Sequence, residues 1–361
     1  MGRRRRRLDA DEPSLDGLEL EEAGGELIHV IDRTEAGFPY GPTVADLRRD
    51  LERESRGVGW ARAKHVLREL LDLNGVDVRD IGRLRKIGDG LSRDVYGASV
   101  EHKDGTERAY AILLPRRDAD ADLAERTVRE LRLVAKLRKC SLPFRIPEML
   151  GAMREGGHMA LVRHYASGIP LDLRAGRQPS VRPWEIVGEI AAAVHAVAGT
   201  EVEDVTVGSA TRRAHALEQL TVLDELEPAE MQAARVWARE HLPPDEPSTL
   251  VHGDLLGQNI LLAFDGPHHV IDWEYAMRGD PAYDLALVTR GAKQPFQIAD
   301  GMTKLLEAYE AHGGRGVTRE HVQLHELCLI AHWYREALAG RGSQPPAFEL
   351  DRMRAVVRRL R

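Results

Sequence analysis

A chain of 361 residues with 43% hydrophobic and 30% charged side chains has the balance of a water-soluble globular protein with room for two or three domains. No apolar run is long enough to cross a bilayer and the N-terminus carries no apolar leader, so no membrane insertion is expected and the expected location is the cytoplasm. A net charge of −7 argues against general nucleic-acid binding and suits a cationic ligand, while Cys140 and Cys328 fit no zinc spacing.

Residues 1–42 open with Arg3 to Arg7 and continue in acidic, glycine-containing text that reads as a disordered tail. Its one β-prone stretch is Leu27 to Ile31. Residues 43–79 read as a helical extension. Thr43 caps a first helix, and Trp60, Ala63, Val66, Leu67, Leu70 and Leu71 space as the apolar face of a second, closed by Asn74-Gly75.

From residue 80 the text becomes strand-like. Ile87 to Tyr96 reads as strand, glycine-rich turn, strand; Gly88 and Gly90 let backbone N–H groups approach a phosphate, and Ser92 stands beside them. Alone this is weak, because hairpins use glycine for turn geometry anyway. Ala109 to Leu114 reads as the next strand. Leu123, Val128, Leu131, Val134, Ala135 and Leu137 space as the apolar face of a helix that carries Glu130. His158 to Tyr165 reads as a strand. Helices are expected over 184–197, in an insert over 207–241, and over 295–314 and 319–339, with a basic helix over 351–361.

The chemistry concentrates between Val251 and Ala286. Val-His-Gly-Asp-Leu-Leu-Gly-Gln-Asn-Ile-Leu-Leu is followed by a break at Asp265-Gly266-Pro267, then by Val-Ile-Asp-Trp-Glu and Gly-Asp-Pro-Ala-Tyr-Asp-Leu-Ala. Strands around Ile260 and Val270 predict a hairpin that gathers Asp254, Asn259 and Asp272 at one end. Two carboxylates and an amide carbonyl together make a hard-oxygen site suited to Mg2+, with one carboxylate left for a reacting hydroxyl.

His252-Gly253-Asp254 with Asn259, then Ile271-Asp272-Trp273-Glu274, then Gly279 to Ala286, resembles the aminoglycoside phosphotransferase and choline kinase superfamily. The resemblance implies an α+β, two-lobed protein-kinase-like fold: a small antiparallel-sheet lobe over 80–165 and a mostly helical lobe over 166–361 that bears the catalytic loop and acceptor region. It implies transfer of the γ-phosphoryl group of ATP, or of GTP, to a hydroxyl of a small molecule, with an aminoglycoside-type antibiotic as the leading acceptor. Asp254 would orient or accept the hydroxyl proton, Asn259 and Asp272 would hold Mg2+, and Asp284 would orient the catalytic loop, with Asp280 supporting the same turn. Gly88, Gly90, Ser92 and Glu130 would serve the nucleotide.

Two departures stand out. The superfamily's strand cation is expected at Leu113 or Leu114, where this chain is apolar; the nearest basic residues are Arg116 and Arg117, which leaves Arg116 as a nucleotide-binding candidate or the site electrostatically weakened. Macrolide kinases commonly carry a His where Asn259 stands, which makes this chain a poorer fit to them. Glu274, Trp333 and Glu336 are acceptor-side candidates, the latter two sharing a helix face at i,i+3. Choline, amino sugars and homoserine remain alternative acceptors, and a nucleotide-binding module with little or no catalysis is the alternative that the missing cation motivates. A protein kinase is disfavoured, because only Trp273 to Gly279 lies where an activation segment would have to fit.

Overall fold

The computed structural model describes residues 20–23, 26–29, 32–33, 39–40, 58–89, 92–116, 119–155, 157–341 and 344–360. The chain divides into two compact units, Met1–Glu69 and Leu70–Arg361. The first contains two short antiparallel pairs: β1 (Leu20–Ala23) with β2 (Glu26–His29), and β3 (Asp32–Arg33) with β4 (Pro39–Tyr40). Strand β2 overlaps the β-prone stretch, and at these residues paired strands replace the expected unstructured tail. The Arg3 to Arg7 run and the helix expected after Thr43 lie outside the described residues. The second expected helix is present as α1 (Val58–Leu73), with Ala63, Val66, Leu67, Leu70 and Leu71 as its buried stripe and Asn74-Gly75 beyond its end.

In the larger unit, an antiparallel sheet runs in the order β5 (Val78–Ile81), β7 (Arg93–His102), β8 (Glu107–Pro115), β10 (His158–His164), β9 (Met149–Glu155), and β6 (Arg85–Asp89) pairs with β7. Strand β8 is central and covered on both faces, which is why Tyr110 to Leu114 is a continuous apolar run and not an alternation. Helix α2 (Leu123–Leu137) packs against β9 and β10. Its buried face differs from the expected one. Val128 is exposed and Leu131 only partly buried, while Arg126, Thr127 and Glu130 turn inward beside Leu123, Leu133, Val134 and Leu137. A purely apolar stripe is the wrong template here, because polar partners await Thr127 and Glu130 inside.

The second lobe is built on α3 (Pro183–His195), α4 (Arg212–Asp224), α5 (Ala229–Glu240), α6 (Ala282–Thr289), α7 (Gly301–Ala311), α8 (Arg319–Leu338) and α9 (Pro346–Leu360). One core cluster joins α2, α3, α6 and α7; a second joins α4, α5, α8 and α9, where Met353, Val356 and Val357 show the terminal helix packed down. Small sheets link the helices: β11 (Ile169–Pro170), β14 (Ile260–Leu262) and β15 (His269–Val270) form one. The other is β12 (Val207–Gly208), β16 (Met277–Gly279) and β13 (Thr249–Val251). No helix among the described residues is long and apolar enough to cross a membrane.

Candidate active site

The expected hairpin is present: Ile260 pairs with Val270 and Leu261 with His269, and the Ile271 N–H donates to the Asn259 carbonyl at 3.0 Å. Asn259 Nδ2 donates to both the backbone oxygen and Oδ2 of Asp254, each at 2.8 Å. The amide NH2 is thereby used on Asp254, which leaves the Asn259 oxygen for another partner. Asp272 sits at the hairpin's end with φ +69°, left-handed backbone that a residue with a Cβ adopts only where its surroundings hold it there.

His252 ties the two boxes together. Its Nε2 donates to the Ile271 carbonyl at 3.1 Å, its Nδ1 accepts from the Asp254 N–H at 3.3 Å, and its ring lies tilted against Trp273 with 4.5 Å between centroids. Burial lowers its pKa, so the ring is neutral with its proton on Nε2. Asp284 lies beneath the loop. Its carboxylate accepts the backbone N–H groups of His252 at 2.7 Å and Gly253 at 2.9 Å, and His195 Nε2 at 3.1 Å. Gly253 has φ +77°, and a Cβ there would stand 2.1 Å from the Tyr275 carbonyl oxygen, so the middle position of the His-Gly-Asp box admits only glycine.

Electrostatically the site is overloaded with negative charge. Burial, reinforced by Asp272, pushes the Asp254 carboxyl up to about 7, against the opposing hydrogen bond from Asn259. Glu274 is likewise pushed up to about 7 by burial, with Arg93 opposing. Both values signal a place where a further cation is favourable.

Two buried cations come from the strands flanking β8. Arg93 on β7 donates from Nη1 to Glu130 at 3.2 Å and from Nη2 to Thr127 Oγ1 at 2.7 Å, and its Nη2 lies 3.5 Å from Glu274. Arg163 on β10 is buried and interacts electrostatically with Asp272 and Glu130. Neither arginine was expected at the site from the sequence. A period-two reading of β7 puts Arg93 on one face with Val95 and Gly97, but only the pairing with β8 brings that face to the site.

Residues 83–323 match the family described as the phosphotransferase enzyme family, APH. The chain belongs to this family. Comparison with curated proteins gave no significant match. Among solved structures, a macrolide 2'-phosphotransferase type I is 23% identical with a TM-score of 0.57, covering 80% of this chain and 95% of the other. A macrolide 2'-phosphotransferase from Brachybacterium faecium, as apoenzyme, gives 23% and 0.57 over 81% and 96%. An aminoglycoside phosphotransferase in complex with GDP and kanamycin gives 14% and 0.57 over 81% and 98%. These likenesses show the fold, and the family makes the chain a phosphotransferase.

The remaining candidates of this phosphotransferase fall in different places. Gly88 pairs with Val95 near the end of β6, Ser92 is buried just before β7, and Gly90 lies outside the described residues, as does Arg117. Arg116 is partly exposed and its Nη1 stands 3.9 Å from Asp94. Glu130 does have a cationic partner, supplied by β7 and not by β8. Glu274, expected on the acceptor side, is buried against Arg93. Trp333 packs against both core clusters of the second lobe beneath the Arg352 guanidinium, and Glu336 pairs with Arg341 at 2.7 Å. Asp280 is the centre of a buried network: Oδ1 accepts from Arg212 Nε at 2.9 Å, Oδ2 pairs with His325 Nε2 at 3.0 Å, and its N–H donates to His215 Nδ1 at 3.0 Å. The His215 ring also explains Gly279, where a Cβ would come within 2.9 Å of it.

Proposed function

We propose that this phosphotransferase moves the γ-phosphoryl group of ATP, or of GTP, to a hydroxyl of an aminoglycoside-type antibiotic, with Mg2+ as the metal. The observation that carries the reading is the meeting of Asp254, Asn259 and Asp272 at one end of the β14–β15 hairpin, braced from below by Asp284. Asp254 takes the proton of the acceptor hydroxyl as that oxygen bonds to the γ-phosphorus and the bridging β–γ bond breaks, releasing the nucleoside diphosphate. Asp284 positions Asp254 through the two N–H groups it accepts, and Asn259 fixes the Asp254 carboxylate through Nδ2.

The donor set fits Mg2+. Asp272 and the unused Asn259 oxygen are hard ligands, and the buried carboxyls of Asp254 and Glu274, raised first by burial and then by Asp272, are surroundings that a divalent cation favours. When bound, Mg2+ would neutralise charge on the transferring phosphates. Among the described residues no group of three or more His, Cys, Asp and Glu forms an all-protein cage, and magnesium held by one or two side chains plus phosphates needs none. Solved relatives of the same fold are described as complexes with GDP and with ADP, which supports a nucleotide in this cleft.

The acidic net charge supports a polycationic acceptor. A macrolide is the second reading, favoured by the two macrolide 2'-phosphotransferases at 23% identity. The test is acceptor-dependent ADP or GDP release across a panel of aminoglycosides, macrolides and small amino alcohols, on wild type and Asp254→Ala. Release with an aminoglycoside, lost in the variant, supports the proposal. Release with a macrolide alone replaces the acceptor, and unchanged turnover in the variant sinks the assignment of Asp254.

A further inference from the structure

The position at which the superfamily's phosphate-binding cation is expected is filled by packing. Leu113 lies in register with Val95 on one side and Leu161 on the other, and these three form an apolar row on one face of the sheet with Leu131 of α2 against it. Because side chains on one face recur every second residue, the same register puts Arg93, opposite Pro115, and Arg163, opposite Ala111, on that face at either end of the row. Arg93 is one strand across and two residues along from Leu113, about 8 Å between backbones by ordinary sheet spacing, within an arginine's reach.

Both guanidinium groups are buried and incompletely satisfied. Arg93 Nε and Arg163 Nη1 have no hydrogen-bond partner although both residues are more than nine-tenths buried, and Glu274 Oε2 beside Arg93 has none either. A buried N–H left open costs stability unless something else occupies it. The helix acid that a strand cation should meet, Glu130, is already engaged by Arg93. We propose that Arg93 of β7 is the residue that grips the α- and β-phosphates of the nucleotide, in place of the cation missing at Leu113, with Arg163 of β10 as a second donor; this rests on the phosphotransferase reading above. The cation has thus moved one strand over while its partner acid has stayed where it was. Arginine suits the move, since its fork binds a carboxylate on one edge and offers N–H groups to phosphate on another.

The experiment is calorimetric titration of Mg·ATP, Mg·GTP, adenosine and guanosine into wild type, Arg93→Leu, Arg116→Leu and Arg93→Leu/Leu113→Lys, with thermal unfolding run on each. Arg93→Leu is expected to weaken the preferred triphosphate about 10- to 100-fold while its nucleoside binds as before. Leu113→Lys in that background is expected to recover most of the loss, because the new ammonium lies on the same face near Glu130. Equal weakening of nucleoside and triphosphate would show that Arg93 only supports the fold and overturns the proposal. So does a loss carried by Arg116→Leu instead. Should Arg93→Leu fail to fold, Arg93→Gln/Glu130→Gln removes the charge without stranding Glu130, and the same triphosphate-selective loss is required of it. A wild type that binds neither triphosphate better than its nucleoside overturns the phosphotransferase reading itself. Retained selectivity in the Arg93 variants overturns only the assignment of Arg93.

Discussion

Two buried charge networks in this protein differ in how fully their atoms are satisfied. In the second lobe, Asp280 uses both carboxylate oxygens and its backbone N–H on Arg212, His325 and His215, and Asp284 gathers His252, Gly253 and His195; of these partners only His325 Nδ1 is left over. Where the first lobe's Arg93 and Arg163 meet the second lobe's Glu274, each of the three keeps a buried atom without a hydrogen-bond partner. A scaffold must be complete before any ligand arrives, whereas a site is complete only with its ligand. The same kinds of charged residue therefore serve different ends.

The sharpest break of that comparison comes at the catalytic loop. Asp254→Ala is expected to lower kcat by about 10²- to 10⁴-fold, the range for losing a proton acceptor, while nucleotide Kd changes only a few-fold. Steady-state kinetics beside calorimetry checks both halves. Arg212→Ala should behave in the opposite way. It leaves the buried Asp280 carboxylate without its guanidinium partner and is expected to cost about 3–5 kcal/mol of stability by denaturant titration. If Arg212→Ala folds as firmly as wild type, the second-lobe network is not a scaffold and the contrast fails.

How much of this was legible in the sequence follows the same division. His252, Asp254, Asn259, Asp272, Asp280 and Asp284 lie within a short span, so their spacing was enough to read a candidate site and the fold, while the place of Glu274 against Arg93 was not legible there. The bracing by Asp284 was also expected, because a carboxylate that caps a loop's N–H groups belongs to the same text. Arg93 and Arg163 lie 70 residues apart, and only sheet register brings them to one face. No local pattern encodes that register across β7, β8 and β10. The helix α2 was placed correctly along the chain but its face was misjudged at Val128, because apolar spacing assumes an apolar partner and here the partner is a guanidinium. Arg212, His215 and His325 were missed for the same reason: the first two on α4 and the third on α8, helices far apart in sequence, converge on Asp280 only in the folded lobe.

Acid should expose the scaffold before the site. Burial, then the nearby His325, hold the His215 pKa down to about 3, well below its ordinary 6.5. The unfolded chain therefore takes up a proton that the folded chain refuses, so this contribution to stability is full above pH 6.5 and falls as pH drops toward 3. Asp280 acts in the same direction. Burial works to raise its carboxyl, but His325 and Arg212 outweigh it and hold it below the ordinary range, so its stabilisation is present above that range and lost as pH falls through it. Asp254 and Glu274, raised to about 7, gain stability over part of the same window, so the His215 contribution is read as a difference. Urea titrations from pH 7 to pH 4.5 should show the stability gap between wild type and His215→Gln narrowing with acid by about 1.4 kcal/mol per pH unit. A gap that does not change with pH would contradict the burial of a neutral His215.

The smallest effect lies in the cleft, at Thr127. Its Oγ1 accepts from Arg93 Nη2 at 2.7 Å while donating to the Leu123 carbonyl, also at 2.7 Å. Thr127→Val keeps the volume and removes both hydrogen bonds, a loss of about 0.5–1.5 kcal/mol for the one to Arg93. Because Arg93 still has Glu130 and Glu274, the guanidinium should stay in place but be held less firmly. If Arg93 binds phosphate, that looseness appears as a rise of about 2- to 10-fold in triphosphate Kd with nucleoside Kd unchanged. If Arg93 only balances buried carboxylates, the same variant lowers the melting temperature slightly and leaves both affinities alone. The ratio of the two Kd shifts thus separates a site from a scaffold at a residue that touches neither ligand nor solvent.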